Sequence, residues 1–126
     1  KVIFKEYPVL GGASKKLAQT ALAVAIVDSN KYIDFHNALM NARDQSDEFI
    51  QNTLKLLNID HIRVKEALKD PRIEKELSST LNLARQLNIR GTPAFIIGEE
   101  MIPGAIDSEA MLGLVNSSRE KTKEKK

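Results

Sequence analysis

Residues 88–98 have the sequence Asn-Ile-Arg-Gly-Thr-Pro-Ala-Phe-Ile-Ile-Gly, which is typical of a helix end, a turn and a short strand. Asn88 or Gly91 can adopt the left-handed conformation that ends a helix. The residue before Pro93 is driven towards extended backbone, so the pattern predicts a strand at residues 94–97. All four residues of that run are apolar, which favours a strand buried on both faces.

A hairpin and a final helix are predicted after this strand. A glycine follows residue 97, and residues 101–103 can form the returning strand. Asp107 or Ser108 is a suitable N-cap for the helix. Glu99 and Glu100 are adjacent and would point in different directions, so they favour a solvated hairpin tip over a carboxylate pair for acid–base catalysis.

The segment before residue 88 is predicted to be almost entirely helical. Ser14 is a suitable N-cap for the first helix, and Asp70-Pro71 is a strong start for the last one. Apolar residues recur at helical spacing in five blocks, at residues 14–27, 31–40, 46–57, 60–69 and 71–88. One more strand is predicted at Val2–Glu6. The predicted order is strand, five helices, strand, strand and helix.

The composition is that of an ordinary globular protein. The 126 residues are 42% hydrophobic and 29% charged, with a formal net charge of +2. A single compact unit is therefore expected. The small net charge argues against a nucleic-acid partner, and no apolar run approaches the roughly 18 residues of a membrane helix. Residues 119–126 are lysine-rich and lack apolar side chains, so they are predicted to form a disordered tail.

Cysteine is absent from the sequence. The thiolate is the nucleophile of all dithiol chemistry, so these residues cannot carry out such chemistry alone. Histidine occurs at positions 36 and 61 only, without the spacing of paired metal ligands. No metal site is expected, and the sequence contains no catalytic set of its own.

Two stretches resemble one known family. Residues 89–98, followed by Ile-Pro-Gly-Ala at 102–105, look like the cis-proline loop, hairpin and last helix of the thioredoxin superfamily, and most like its DsbA branch. Residues 31–40, Lys-Tyr-Ile-Asp-Phe-His-Asn-Ala-Leu-Met, are similar to the helical insertion of DsbA-like proteins. The resemblance implies an α/β thioredoxin-like fold, as one domain over residues 1–118 with an all-helical insertion at about 14–88.

Residues 2–10 resemble the strand that follows the active-site helix in this family. The resemblance therefore implies that the first strand and the helix carrying the CxxC motif lie upstream of Lys1 and are missing here. In the family, the loop at the cis-proline faces the redox cysteines and offers its backbone to an extended substrate. The resemblance therefore implies that Gly91, Thr92 and Pro93 bind substrate in this chain. Lys5 and Glu6 are expected to reach solvent at the rim of the sheet; the alternative is that Lys5 corresponds to the buried charges that tune thiol acidity in thioredoxin-like proteins.

The implied activity is thiol-disulfide exchange on extracytoplasmic client proteins, by oxidation or isomerisation, without a cofactor. The implied partners are reduced or misfolded polypeptides and a membrane redox partner. An uncovered sheet edge also predicts a homodimer. Two alternatives remain open: a redox-inactive peptide-binding or chaperone module, and a glutathione-linked enzyme that uses serine in place of cysteine. The residues before Lys1 discriminate between the three.

Overall fold

The computed structural model describes residues 1–125 of the chain. These residues form two compact units, one from Lys1 to Asn82 and the other from Leu83 onward. The first unit is helical, and the second contains a β-hairpin and the last helix. The single domain expected over residues 1–118 stays a prediction.

Five α-helices and one short 3₁₀ turn precede the hairpin, in close agreement with the five predicted blocks. The 3₁₀ turn, Ser29–Lys31, connects the first two helices. The helices are α1 Gly12–Val27, α2 Tyr32–Asn41, α3 Asp47–Leu56, α4 His61–Ala67 and α5 Pro71–Gln86.

Side-chain caps explain where several of these helices begin. The Oδ1 of Asp60 accepts hydrogen bonds from the backbone amides at the start of α4, and Asp70 does the same for Arg72. Each cap satisfies an amide that has no partner within its helix. The predicted start at Pro71 is thus confirmed. The predicted cap at Ser14 is wrong, because α1 begins two residues earlier, after Gly11 with φ of 85°.

The core of the first unit lies around α1, whose small side chains allow other helices to approach closely. Ala23 and Val24 of α1 are fully buried, and so is Phe35 of α2. Leu54 of α3 and Val64 of α4 complete the contacts across these helices, each 3% exposed. The remaining members of this core are Ala18, Ala21, Leu39, Ile50, Ile59, Ile73 and Leu77.

The strand predicted at Val2–Glu6 is wrong, because residues 1–9 contain no strand. A strand needs a neighbouring backbone for its amides and carbonyls, and within residues 1–125 the two observed strands pair with each other. Val2 is 80% exposed and Leu10 is 85% exposed. The apolar residues that suggested a strand are thus largely uncovered.

Side chains, rather than backbone pairing, attach this N-terminal segment to the helices. The hydroxyl of Tyr32 donates a hydrogen bond to Glu6, and the Nδ1 of His36 lies 3.8 Å from the same carboxylate. The ring of Phe4 lies 5.1 Å from that of His36. Lys5 instead forms an exposed ion pair with Glu76, at 3.2 Å. Lys5 is therefore exposed and paired with a helical residue, and Glu6 contacts two residues of α2.

The Tyr32 phenol gives the stability a dependence on alkaline pH. Burial and the Glu6 carboxylate raise the pKa of Tyr32 above the ordinary value of 10.0. A raised folded pKa means that the stabilisation is complete below pH 10 and is lost as pH rises further. Near pH 8.5 we expect Tyr32→Phe to be less stable than the wild type by about 1 kcal/mol. That difference should shrink between pH 10 and 11 in urea unfolding, and an unchanged difference would contradict the assignment.

The second unit contains an antiparallel hairpin of β1, Ala94–Ile97, and β2, Glu100–Pro103. Gly98, in the turn between them, has φ of 63°, a conformation that favours glycine. The helix α6, Ser108–Glu124, follows, with the side chain of Asp107 as its N-cap. The predicted hairpin and helix are confirmed.

The prediction that β1 is buried on both faces is wrong. Ile96 is 51% exposed, whereas Phe95 and Ile97 are partly covered. The helix α6 contacts β1, and alternate residues of a strand point to opposite sides. One face of β1 is therefore covered within this unit, and the face of Ile96 is open.

The disordered tail predicted at 119–126 is also wrong for the described residues, because α6 continues to Glu124. The Nζ of Lys121 lies 3.6 Å from Glu100, and that of Lys125 lies 2.9 Å from Glu99. Cations in the last turn also suit the negative end of the helix dipole. The lysines that suggested disorder therefore stabilise the helix end and connect it to the hairpin tip. Residue 126 lies outside the described part.

Candidate peptide-binding site

The candidate site begins directly after the end of α5. Asn88 adopts φ of 57°, and the amide of Ile89 donates to the carbonyl of Ala84 at 2.8 Å. This left-handed cap satisfies carbonyls at the helix end and reverses the chain. Of the two residues that could end the helix, Asn88 takes the left-handed conformation.

The loop after this cap leads directly into β1. The peptide bond between Thr92 and Pro93 is cis, and β1 starts at the next residue, Ala94. The amide of Gly104, just after β2, donates to the carbonyl of Pro93 at 2.9 Å. The loop is therefore attached to the open end of the hairpin.

An open groove of ≈ 580 Å³ lies beside this loop. One side of the groove is lined by residues 88–94, which lead into β1. The other side is lined by Met101 and Pro103 of β2 and by Gly104 after it. The three residues predicted to bind substrate, Gly91, Thr92 and Pro93, thus come together in one groove. Their role in binding stays a prediction.

Strand register explains which further side chains reach the groove. Ala94 pairs with Pro103, and Ile96 pairs with Met101. Paired residues, and residues two apart on one strand, share a face of the sheet. Met101 and Ile96 are 40% and 51% exposed. The groove therefore continues into an apolar open face of the hairpin.

Sequence reasoning missed the contributions of Arg90, Ala94, Met101 and Pro103 to this groove. Arg90 is two residues from Thr92, and proximity alone could have indicated it. The other three depend on the register between β1 and β2, which follows from the length of the hairpin turn. A hairpin drawn with a two-residue turn would have placed them on one face.

The arrangement is suited to binding extended peptide. Within residues 1–125, β1 pairs with β2 on one side only, so its other edge has backbone groups without a strand partner. An edge of this kind can accept a further extended segment through main-chain hydrogen bonds. The groove beside it offers apolar contacts for the side chains of such a segment.

Other site types find less support in the described residues. Residues 1–125 contain no group of three or more His, Cys, Asp or Glu side chains that could hold a metal ion. His61 begins α4, and His36 lies beside Glu6 in the first unit. Over the same residues, the helices are all too short or too polar to cross a bilayer.

A helical region, a proline loop, a hairpin and a closing helix define the class as a thioredoxin-like fold with a helical insertion. The profile of the DSBA-like thioredoxin domain matches residues 3–116. The chain belongs to this family.

Solved structures support the assignment. The thiol-disulfide exchange protein alpha-DsbA2 from Wolbachia pipientis is 38% identical, with a TM-score of 0.85 over 91% of this chain and 63% of its own. The compact form of ScsC from Proteus mirabilis is 30% identical, with a TM-score of 0.83 over 97% and 67%. A periplasmic thioredoxin-like protein from Salmonella enterica serovar Typhimurium is 27% identical, with a TM-score of 0.78 over 90% and 63%.

The chain spans about two thirds or less of the length of each of these proteins. The search of curated proteins yields no match to this chain. The fold and the family are therefore established by the DSBA-like profile and the solved structures, and activity is a separate question.

Proposed function

We propose that the chain is the peptide-binding and helical part of a DsbA-like thiol-disulfide oxidoreductase. Gly91, Thr92 and Pro93 form its client-facing loop. The observation that carries the proposal is the groove beside Pro93, because it brings the loop together with apolar side chains of the hairpin. The similarity to the thiol-disulfide exchange protein from Wolbachia pipientis supports the same activity.

The chemistry would require a CxxC pair, which the family resemblance assigns to a segment upstream of Lys1. A client segment lying in the groove beside Thr92 and Pro93 would present its cysteine thiolate to the CxxC disulfide. The thiolate attacks one sulfur, a mixed disulfide forms, and a second client thiolate releases the oxidised client. The client loses two electrons and two protons, and the CxxC pair is reduced to two thiols.

Clients and location follow from the same proposal. The clients are reduced or misfolded extracytoplasmic polypeptides, since the Salmonella relative is a periplasmic protein. A membrane redox partner would reoxidise the CxxC pair after each cycle. No organic cofactor is required for thiol-disulfide exchange.

The decisive experiment uses the protein as its source cell makes it. The N-terminal sequence and intact mass establish whether a strand and CxxC precede Lys1, and the purified protein is then assayed for oxidation of a reduced client. We expect a CxxC pair and client oxidation that is lost when its first cysteine becomes serine. A native protein without cysteine would exclude the redox function.

A binding module without redox activity is the second candidate. The observation that favours it is the absence of cysteine from all 126 residues. The same groove at Thr92 and Pro93 would then hold peptide without chemistry. Peptide binding by a native protein that lacks CxxC would establish this function instead of the first. A lone serine in the place of CxxC would instead indicate the glutathione-linked enzyme.

We also propose that two copies of this chain, when it folds without the upstream segment, pair through the open sheet edge. Unpaired strand edges are templates for another strand, and β1 has one uncovered edge within the described residues. Light scattering over a concentration series tests this pairing. A mass that stays monomeric at every concentration would contradict it.

A further inference from the structure

Arg90 is the one charged residue among the described residues that line the groove. It precedes the client-facing loop by one residue, and the other lining side chains are apolar or uncharged. No acidic side chain lines the same groove to neutralise it. A single cation thus lies at the border of an otherwise uncharged surface.

Asn88 contacts the Arg90 side chain. The Nε of Arg90 donates a hydrogen bond to the Oδ1 of Asn88, at 3.3 Å. That asparagine is itself positioned by the left-handed cap of α5. The contact involves a neutral group and engages one nitrogen of the guanidinium. The two terminal nitrogens have no ion-pair or hydrogen-bond partner within residues 1–125.

A guanidinium in this state is suited to a carboxylate. Its terminal nitrogens form a planar fork that matches the two oxygens of Asp or Glu. Arg90 lies two residues before Thr92, and consecutive residues of an extended peptide advance about 3.3 Å. If one residue of a bound peptide lies beside Thr92, the peptide residue about two positions further along lies near Arg90. An acidic side chain at that second position could therefore pair with Arg90.

We infer that the groove selects extended client segments in which an Asp or Glu lies about two residues from an apolar stretch. Because Arg90 is the single charge in the groove, the segment that binds there is expected to be an acidic polypeptide segment. This inference rests on the proposed peptide-binding function and adds the class of client to it. Arg90 acts in it as a residue that determines specificity.

The test measures binding of three fluorescent twelve-residue peptides to the full chain by anisotropy. The three peptides share one apolar stretch, with serine in place of cysteine. They differ in a single residue, which is Glu, Gln or Lys and lies two positions from the apolar stretch. We expect the Glu peptide to bind about fivefold more tightly than the Gln peptide at low salt, and the Lys peptide to bind most weakly. The preference should shrink in 0.5 M salt.

Variants at Arg90 separate its contribution from general charge effects. In Arg90→Gln the preference for Glu should vanish while the Gln peptide binds as before. In Arg90→Glu the order should reverse, so that the Lys peptide binds best. The control is Arg119→Gln, which removes the same charge from an exposed site on α6 outside the groove and should keep the wild-type order.

Each result has a distinct meaning. Equal binding of the Glu and Gln peptides overturns the role of Arg90 and leaves the groove function intact. An equal loss of preference in Arg119→Gln assigns the effect to net charge and also overturns the role of Arg90. Failure of all three peptides to bind overturns the proposed function and this inference together.

Discussion

Replacing Phe35 with alanine is expected to lower the free energy of unfolding by about 3–5 kcal/mol. Phe35 is fully buried, and it is the largest side chain in the core at which α1 and α2 meet. The substitution loses the transfer free energy of the ring and leaves a cavity that the small residues of α1 cannot fill. A loss of this size is a large part of the 5–15 kcal/mol that is typical of a natural domain.

The matched control for Phe35→Ala is Met40→Ala on the same helix. Met40 is 66% exposed, and alanine is the best helix former, so this change should cost less than about 0.5 kcal/mol. Urea unfolding followed by circular dichroism at 222 nm measures both variants. Similar losses in the two variants would show that Phe35 does not occupy the core as described.

Replacing Met101 with aspartate is expected to weaken peptide binding by about tenfold or more. Met101 lines the groove and is 40% exposed, so its side chain is available to a bound peptide. Fully burying an apolar side chain of this size contributes about 1.5–3 kcal/mol, so covering the exposed 40% of Met101 contributes roughly 1 kcal/mol, which is about a factor of five in affinity. A carboxylate at this position would also have to be desolvated by the peptide.

Leu112→Asp is the control for Met101→Asp. Leu112 is 61% exposed on α6 and does not line the groove, so the same apolar-to-acid change there should leave peptide affinity unchanged. Anisotropy with the uncharged Gln peptide measures both variants, and thermal unfolding verifies that each remains folded. A loss of affinity in both, or in neither, would remove Met101 from the binding surface.

Local signals in the sequence predicted most of the helical region correctly. Asp70-Pro71 marked the start of α5, and Asn88 was one of the two residues named for its end. These features depend on interactions within four residues of the chain, such as caps and left-handed turns. Ser14 was misjudged because a glycine with positive φ at position 11 began the helix earlier.

The errors occurred where a residue depends on distant neighbours. Val2–Glu6 has the composition of a strand, but a ladder requires a second backbone, which the described residues do not provide. Ile96 is apolar but exposed, because α6 covers the other face of β1. The lysines near residue 121 are charged but ordered, because Glu99 and Glu100 of the hairpin accept them.

The sequence by itself determined the helices, the hairpin, the loop at Thr92 and Pro93 and the DSBA-like family, since each is encoded in a short run of residues. The tertiary structure alone decided which side chains share the groove with that loop. Strand register brings Met101 and Pro103 beside Ala94, and Asn88 at the end of α5 contacts Arg90 at its border. The register depends on backbone hydrogen bonds between β1 and β2 and on the length of the turn between them, so neither strand specifies it alone.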